Sequence, residues 1–439
     1  MQTFSLPFGR DQLHTSLPDA AVLVAPRACT TAPLESPLVA AALADEGLVD
    51  ALASAGRVAL VVNDQTRKGG MRTMLDAIAG LLQRAGVAPE RVSLVVAYGL
   101  HARQSDETSR AIYGDAIFER ATLHHHDGRD ARTLASIGAL PAQFGAGEVS
   151  LARAVVEADL RVLVGAIGFH YYAGFSGGRK ALLPGVADEA SIVRNHLRVL
   201  DPRGPGGRAA GCGPARLDGN PVSDEMFAAA RLVDAVHGRT FLANAIVGAA
   251  GAAAGAVIDV AAGLAHEDAF RAGCARLIAS NAVAVDPSAP LDAVVASAGG
   301  WPYDAALYQA HKAYDNAFRA LAPAIARGAR PPLIFVARCD EGLGHPRFGD
   351  WLDQPTREAH YAALAAGYEI VGQTSLAVRD KAAVTRTIAV TDLDAATCAR
   401  LGWEKASSLD DAVARAGAVG RWGVVPRAGA VLPVTGASP

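Results

Sequence analysis

The chain has 439 residues, 51% hydrophobic and 19% charged, which is enough apolar material for a large core and excludes general disorder. A formal net charge of -3 and a pI near 6.5 give no electrostatic case for nucleic acid or an anionic membrane, so a small-molecule partner is expected. Five scattered cysteines without a C-x-x-C pair argue against a thiolate metal site and fit a reducing compartment.

The first residues, MQTFSLPFGRDQLH, lack a basic start followed by an apolar stretch, and a cytoplasmic enzyme is expected. Short β-branched runs follow at Val58–Val62, Val92–Ala97, Val162–Ile167, Ala293–Ala296, Leu333–Val336 and Ile388–Val390, separated by helix-length segments. Such runs are expected of buried parallel strands with crossover helices, so the fold class is α/β, with mostly parallel sheets flanked by helices in two domains. The spacing of Met71, Leu75, Ile78, Leu81 and Leu82 predicts an amphipathic helix over Met71–Arg84. The apolar stretch Phe241–Val260 splits at Gly248 and reads as a hairpin or two short elements rather than a membrane span. Asp201–Asn220, rich in Gly, Pro and Arg, reads as a mobile loop that covers a site. The polar, Pro-containing break Val285–Leu291 places the expected boundary between a cofactor-binding domain, residues 1–285, and a second α/β domain, residues 286–439, with the active site in the cleft between them.

Ligands gather where the strands of such sheets end. After the first run stand Asp64, Thr66 and Arg67, which can grip a phosphate or carboxylate, or simply cap the next helix. After the second comes His101, in a loop before a helix that Ser105 can cap; a lone histidine there is a general base or a structural residue. The third place is denser: His170, then Ser176-Gly177-Gly178-Arg179-Lys180, where glycines admit close backbone approach and consecutive N–H groups can form an anion nest. The spacing is not that of a phosphate loop, and Ala181 stands where its hydroxyl belongs. His196 follows on a predicted helix, whereas His124-His125-His126 reads as a solvated loop. Farther on, Tyr308, Gln309 and Lys312 share one predicted helix face suited to an anion.

Taken together, Asp64, Thr66, Arg67, His101, His170, Ser176 to Lys180, His196 and Tyr308-Gln309-x-x-Lys312 resemble the nickel-dependent lactate racemase family in order and spacing over most of the chain. The resemblance implies a nickel-pincer nucleotide, a pyridinium mononucleotide whose two sulfurs and a ring carbon hold the metal. By motif position, Lys180 binds it covalently and His196 completes the coordination. His101 and His170 match the acid/base pair. Arg67, Tyr308 and Lys312 match the grip on a 2-hydroxy acid. Asp64, Thr66, Ser176, Gly177, Gly178 and Gln309 fall near the cofactor, and Trp351 is a less anchored aromatic match. Lys68 stands where the family often has proline, and Ala102-Arg103 where it often has Arg-Pro, both beside residues that would touch substrate.

This family's chemistry is racemisation or epimerisation by reversible hydride transfer, which avoids a carbanion beside a carboxylate, and it needs a base on each face of the carbinol carbon. A longer 2-hydroxy acid or a sugar acid would use the same chemistry. A non-catalytic nucleotide-binding protein would not need two histidines, and no G-x-G-x-x-G supports a nicotinamide dehydrogenase. The expected partners are the hydroxy acid and the cofactor-synthesis proteins, with no nucleic acid and no membrane.

Overall fold

The structure is a computed structural model that describes residues 2–18, 22–23, 32–66, 69–145, 147–201, 208–248 and 255–435. Arg67, part of the expected substrate grip, and residues 202–207 of the expected covering loop lie outside them. The chain divides into two compact units. One comprises Cys29–Val199 and Gly211–Ala279, the other Met1–Ala28, Leu200–Ala210 and Ser280–Pro439. No described helix is long and apolar enough to cross a membrane.

The first unit is built on a twisted sheet in the order Val257–Gly263, Arg239–Val247, Leu160–His170, Val58–Asn63, Val92–Ala97, Thr122–His125. The central pairings are parallel; the 257–263 edge strand and the short strand Gly174–Ser176 pair antiparallel. The expected runs at 58, 92 and 162 are all strands, the last extended at both ends. Val58, Leu60, Val62, Leu94 and Val96 bury one face against Leu75, Ile78 and Leu82 of the Met71–Arg84 helix. The two halves of the 241–260 stretch form an antiparallel pair, as expected. The sheet runs outward from Val58–Asn63 in one direction for two strands, then returns to Leu160–His170 on its other side. That reversal is a topological switch point, where the carboxyl ends of neighbouring strands open a crevice.

The second unit has a parallel sheet in the order Glu404–Lys405, Arg386–Val390, Pro332–Val336, Ala293–Ser297, Trp422–Val425, Val22–Leu23. Its central strands, Ala293–Ser297 and Pro332–Val336, are largely apolar because both faces are covered. Val294, Ala296, Leu333 and Phe335 pack toward helices including Leu307–Ala320, while Ala293, Val295, Ile334 and Val336 pack toward Phe4, Leu6 and Leu17. Those last three belong to an antiparallel hairpin, Gln2–Phe8 with Asp11–Leu17, so the start of the chain supplies a layer of this unit rather than of the first.

Candidate functional site

The strand Val58–Asn63 ends at the switch point, and its next residue, Asp64, is buried. Asp64 does not cap the following helix: the residue before Met71 is Gly70, left-handed at φ 71 with no side-chain cap. Instead Asp64 Oδ1 accepts from the Thr66 N–H (2.9 Å) and hydroxyl (2.6 Å), and Oδ2 accepts from His101 Nδ1 (2.6 Å). Burial alone raises the Asp64 carboxyl, but the bonds from His101 and Thr66 outweigh it and hold it below the usual carboxylate range.

His101 sits in the loop between Val92–Ala97 and the helix Asp106–Tyr113, whose N-cap is Ser105, as expected. Buried Gln104 braces this loop. Its Oε1 accepts from Gln65 N–H (2.7 Å), and its amide reaches Ser109 (2.9 Å) and Tyr113 (3.0 Å). Burial pushes the Tyr98 phenol up to about 12, so it stays protonated and donates to His125 Nδ1 (2.6 Å), whose Nε2 meets Asp106 (2.8 Å). The histidine run is therefore no solvated loop. His125 ends the strand Thr122–His125 and is built into this brace, and His126 is buried against the Ala187 carbonyl.

His170 closes the strand Leu160–His170, and the chain doubles back at once into Gly174–Ser176. Gly174 has φ +79, and a Cβ there would lie 2.1 Å from the Arg216 carbonyl oxygen, so no other residue fits. The hairpin sets the Ala173 N–H on His170 Nδ1 (3.3 Å), and Lys180 Nζ lies 3.3 Å from His170 Nε2. Both contacts are met together when Nε2 carries the ring proton and the Lys180 amine is unprotonated, which is the nucleophilic form of lysine. Lys180 is buried, in the short 3-10 turn Gly178–Ala181, with its Nζ 5.6 Å over the Tyr172 ring.

The expected anion nest is not realised at two of its groups. The Gly178 N–H is taken by Asn244 Oδ1 (2.8 Å), and the Ser176 hydroxyl turns to the carbonyls of Ala166 (3.4 Å) and Gly168 (3.3 Å). Asn244, which interrupts the apolar 241–260 stretch, exists to hold this turn: its amide also donates to the Leu163 carbonyl (2.8 Å).

His196 lies on the helix Glu189–Leu197, buried, with its ring edge-on to Tyr172 at 5.5 Å. Its Nδ1–H donates to the Ile192 carbonyl (2.8 Å), which places the lone pair on Nε2. Burial pushes its pKa down to about 3, so the ring is neutral, as a metal ligand must be. The helix is tied down beside it. Fully buried Glu225 accepts from Asn195 (2.9 Å) and from Arg198 Nε (2.6 Å). Among the described residues no group of three or more His, Cys, Asp or Glu could hold a metal. His170, Lys180 and His196 thus meet around Tyr172, and the Gly99 N–H bonded to the Gly185 carbonyl (2.9 Å) sets the His101 loop alongside.

In the second unit, Tyr308, Gln309 and Lys312 form the half-buried stripe of the helix Leu307–Ala320, as their spacing implies. Tyr308 stands against the rings of His311 and His345, both at 5.8 Å. Trp351 belongs to the core, stacked on His360 at 5.3 Å with its indole N–H on Glu369 (3.0 Å). Burial and the charges of Lys312 and Lys381 push His311 down to about 3, against the opposing bond to the Tyr308 carbonyl. The unfolded chain takes a proton here below about pH 6.5, and the folded one refuses it until near pH 3. Stability is therefore complete above that upper value and is lost as pH falls through this window. A denaturant series from pH 7 to 4 is expected to show a slope for this group approaching about 1.4 kcal/mol per pH unit, reduced in His311→Gln.

Residues 8–205 match the model of the lactate racemase N-terminal domain. Over that domain the chain is similar to the lactate racemase family. It is 26% identical over 362 residues to the lactate racemase of Thermoanaerobacterium thermosaccharolyticum, covering 81% of this chain and 78% of that protein. It is 28% identical over 262 residues to that of Lactiplantibacillus plantarum, covering 58% of this chain and 55% of that one. The fold matches the lactate racemase apoprotein from T. thermosaccharolyticum with a TM-score of 0.83 at 24% identity over 99% of this chain and 100% of that one. A Thermotoga maritima protein matches at 0.65 and 18% identity, over 92% and 99% of the two chains.

The supports to which the sequence reading gives no individual role are Tyr172, Gln104, Asn244, Glu225 and Arg179. Arg179 is fully buried between the rings of Phe227 (4.8 Å) and Phe270 (4.6 Å), and burial pulls its pKa down to about 10. Its guanidinium holds the carbonyls of Ala173 (2.8 Å) and Phe175 (3.2 Å) and the Ser223 hydroxyl (2.9 Å), fixing the turn that carries Lys180. Arg179→Met, which keeps the length but strips the donors, is expected to lower stability by about 3 kcal/mol in urea denaturation.

Proposed function

We propose that this chain is an isomerase that racemises lactate, or a closely similar 2-hydroxy acid, with a nickel-pincer nucleotide attached to Lys180. The observation that carries the reading is the meeting of His170, Lys180 and His196 around Tyr172 at the switch point of the sheet. Both groups offered to the nucleotide suit it: an unprotonated Lys180 amine for covalent attachment, and a neutral His196 with its lone pair on Nε2 for nickel. When bound, the nucleotide supplies a reversible hydride acceptor.

The chain's own part is proton transfer and grip. Either enantiomer must lose its hydroxyl proton, and a base on each side of the carbinol carbon lets one site serve both. His101 and His170 take these roles. Tyr308 and Lys312, with Arg67, bind the substrate carboxylate, which keeps the planar oxidised acid from leaving before it is reduced again. Gln309 stands beside them as a contact to the nucleotide.

The test is peptide mapping by mass spectrometry of protein made in cells that synthesise the nucleotide, with metal analysis. A modified Lys180 and one nickel per chain are expected. Nickel bound with the modification on another lysine would refute the assignment. Offering the loaded protein lactate, longer 2-hydroxy acids and sugar acids then ranks the substrates, with lactate expected first.

A further inference from the structure

We infer that Asp64 is a positioning residue that sets which nitrogen of His101 carries the proton, and that Thr66 in turn sets Asp64. The inference deepens the reading above, in which His101 is one of the two acid/base groups.

The His101–Asp64 contact is short, 2.6 Å, and one-sided in exposure: the Asp64 side chain is 4% exposed and that of His101 39%. An ionised carboxylate can only accept, so Nδ1 must be the donor and the lone pair falls on Nε2. His170 is fixed the other way. Its Nδ1 accepts the Ala173 N–H, so its ring proton sits on Nε2. The two imidazoles are therefore held in opposite tautomers, one presenting a lone pair at Nε2 and the other an N–H.

Thr66 makes the arrangement testable. It directs two donors at Asp64 Oδ1, the backbone N–H and the hydroxyl, so that atom must be an oxygen. In Asp64→Asn the amide oxygen stays there, and the NH2 group faces His101 Nδ1. A donor then meets a donor unless the imidazole moves its proton to Nε2, which removes the lone pair from the nitrogen that should act as base. The same change in a serine protease triad costs about 10⁴ in kcat.

The experiment uses the full chain. In 15N-histidine-labelled protein without nucleotide, two-bond proton–nitrogen spectra report each tautomer, and the His101 signals are identified by their loss in His101→Gln. Wild type is expected to show His101 protonated at Nδ1, and Asp64→Asn to show it at Nε2. In loaded enzyme, Asp64→Asn is expected to keep Lys180 modified and KM for lactate within about threefold, with kcat down by about 10³-fold or more. Wild-type His101 protonated at Nε2 overturns the inference without recourse to any variant. So does an Asp64→Asn enzyme with unchanged kcat. If the loaded wild type racemises no hydroxy acid, the functional reading fails, while the tautomer assignment still stands or falls on the spectra.

Discussion

Lys180→Ala, made in cells that synthesise the nucleotide, is expected to emerge with no covalent adduct and with lactate racemisation at background. Lys180→Arg should behave alike, although it keeps the charge. A guanidinium stays protonated and cannot attack, whereas the Lys180 amine beside His170 Nε2 is placed in its nucleophilic form. The pair of variants separates covalent attachment from simple electrostatic attraction. If Lys180→Arg loads and racemises, the lysine serves only as a positive charge.

His101→Ala is expected to keep the adduct on Lys180 and lose about 10²–10⁴-fold in racemisation, the usual contribution of a positioned acid/base group. The loss should appear in kcat for both enantiomers, because a racemisation that leans on both histidines in each turnover has no direction that avoids one of them. His170→Ala should lose as much rate and also load less completely, since it removes the ring 3.3 Å from the attacking amine. Intact mass and initial rates on the same preparations distinguish the two. A His101→Ala protein racemising at the wild-type rate would eliminate the two-base scheme.

Much of the scaffold was legible because its strands are buried on both faces. Val58–Val62 and Leu333–Val336 are continuous apolar runs for that reason, and the Met71–Arg84 helix shows its stripe because only one side faces the sheet. Lys180 and His170 stood out because glycines crowd the turn between them, and the forced φ at Gly174 explains the crowding. What stayed hidden was long-range pairing. Asp64 and His101 are 37 residues apart and bond only because their strands are neighbours, so Asp64 read equally well as a helix cap. Asn244 holds the Gly178 turn from the next strand, and nothing beside it in the sequence shows that. Glu225 gave no signal in the sequence, since a carboxylate inside a helix is normally a surface charge, yet here it is fully buried and clamps the His196 helix. His125 and His126 misled for the opposite reason: three adjacent polar rings suggest solvent, while an edge strand and a tyrosine partner bury two of them. The opening hairpin lacks the long apolar runs by which strands were recognised, so its role in the second unit's core was invisible.

The most direct test of the whole account is to give the nucleotide-loaded wild-type protein enantiopure lactate and follow the mixture by chiral chromatography. Conversion of either enantiomer to an equal mixture, with no added nicotinamide cofactor, is the predicted result. Lactate that remains enantiopure in the presence of protein shown to carry nickel and a modified Lys180 would contradict it.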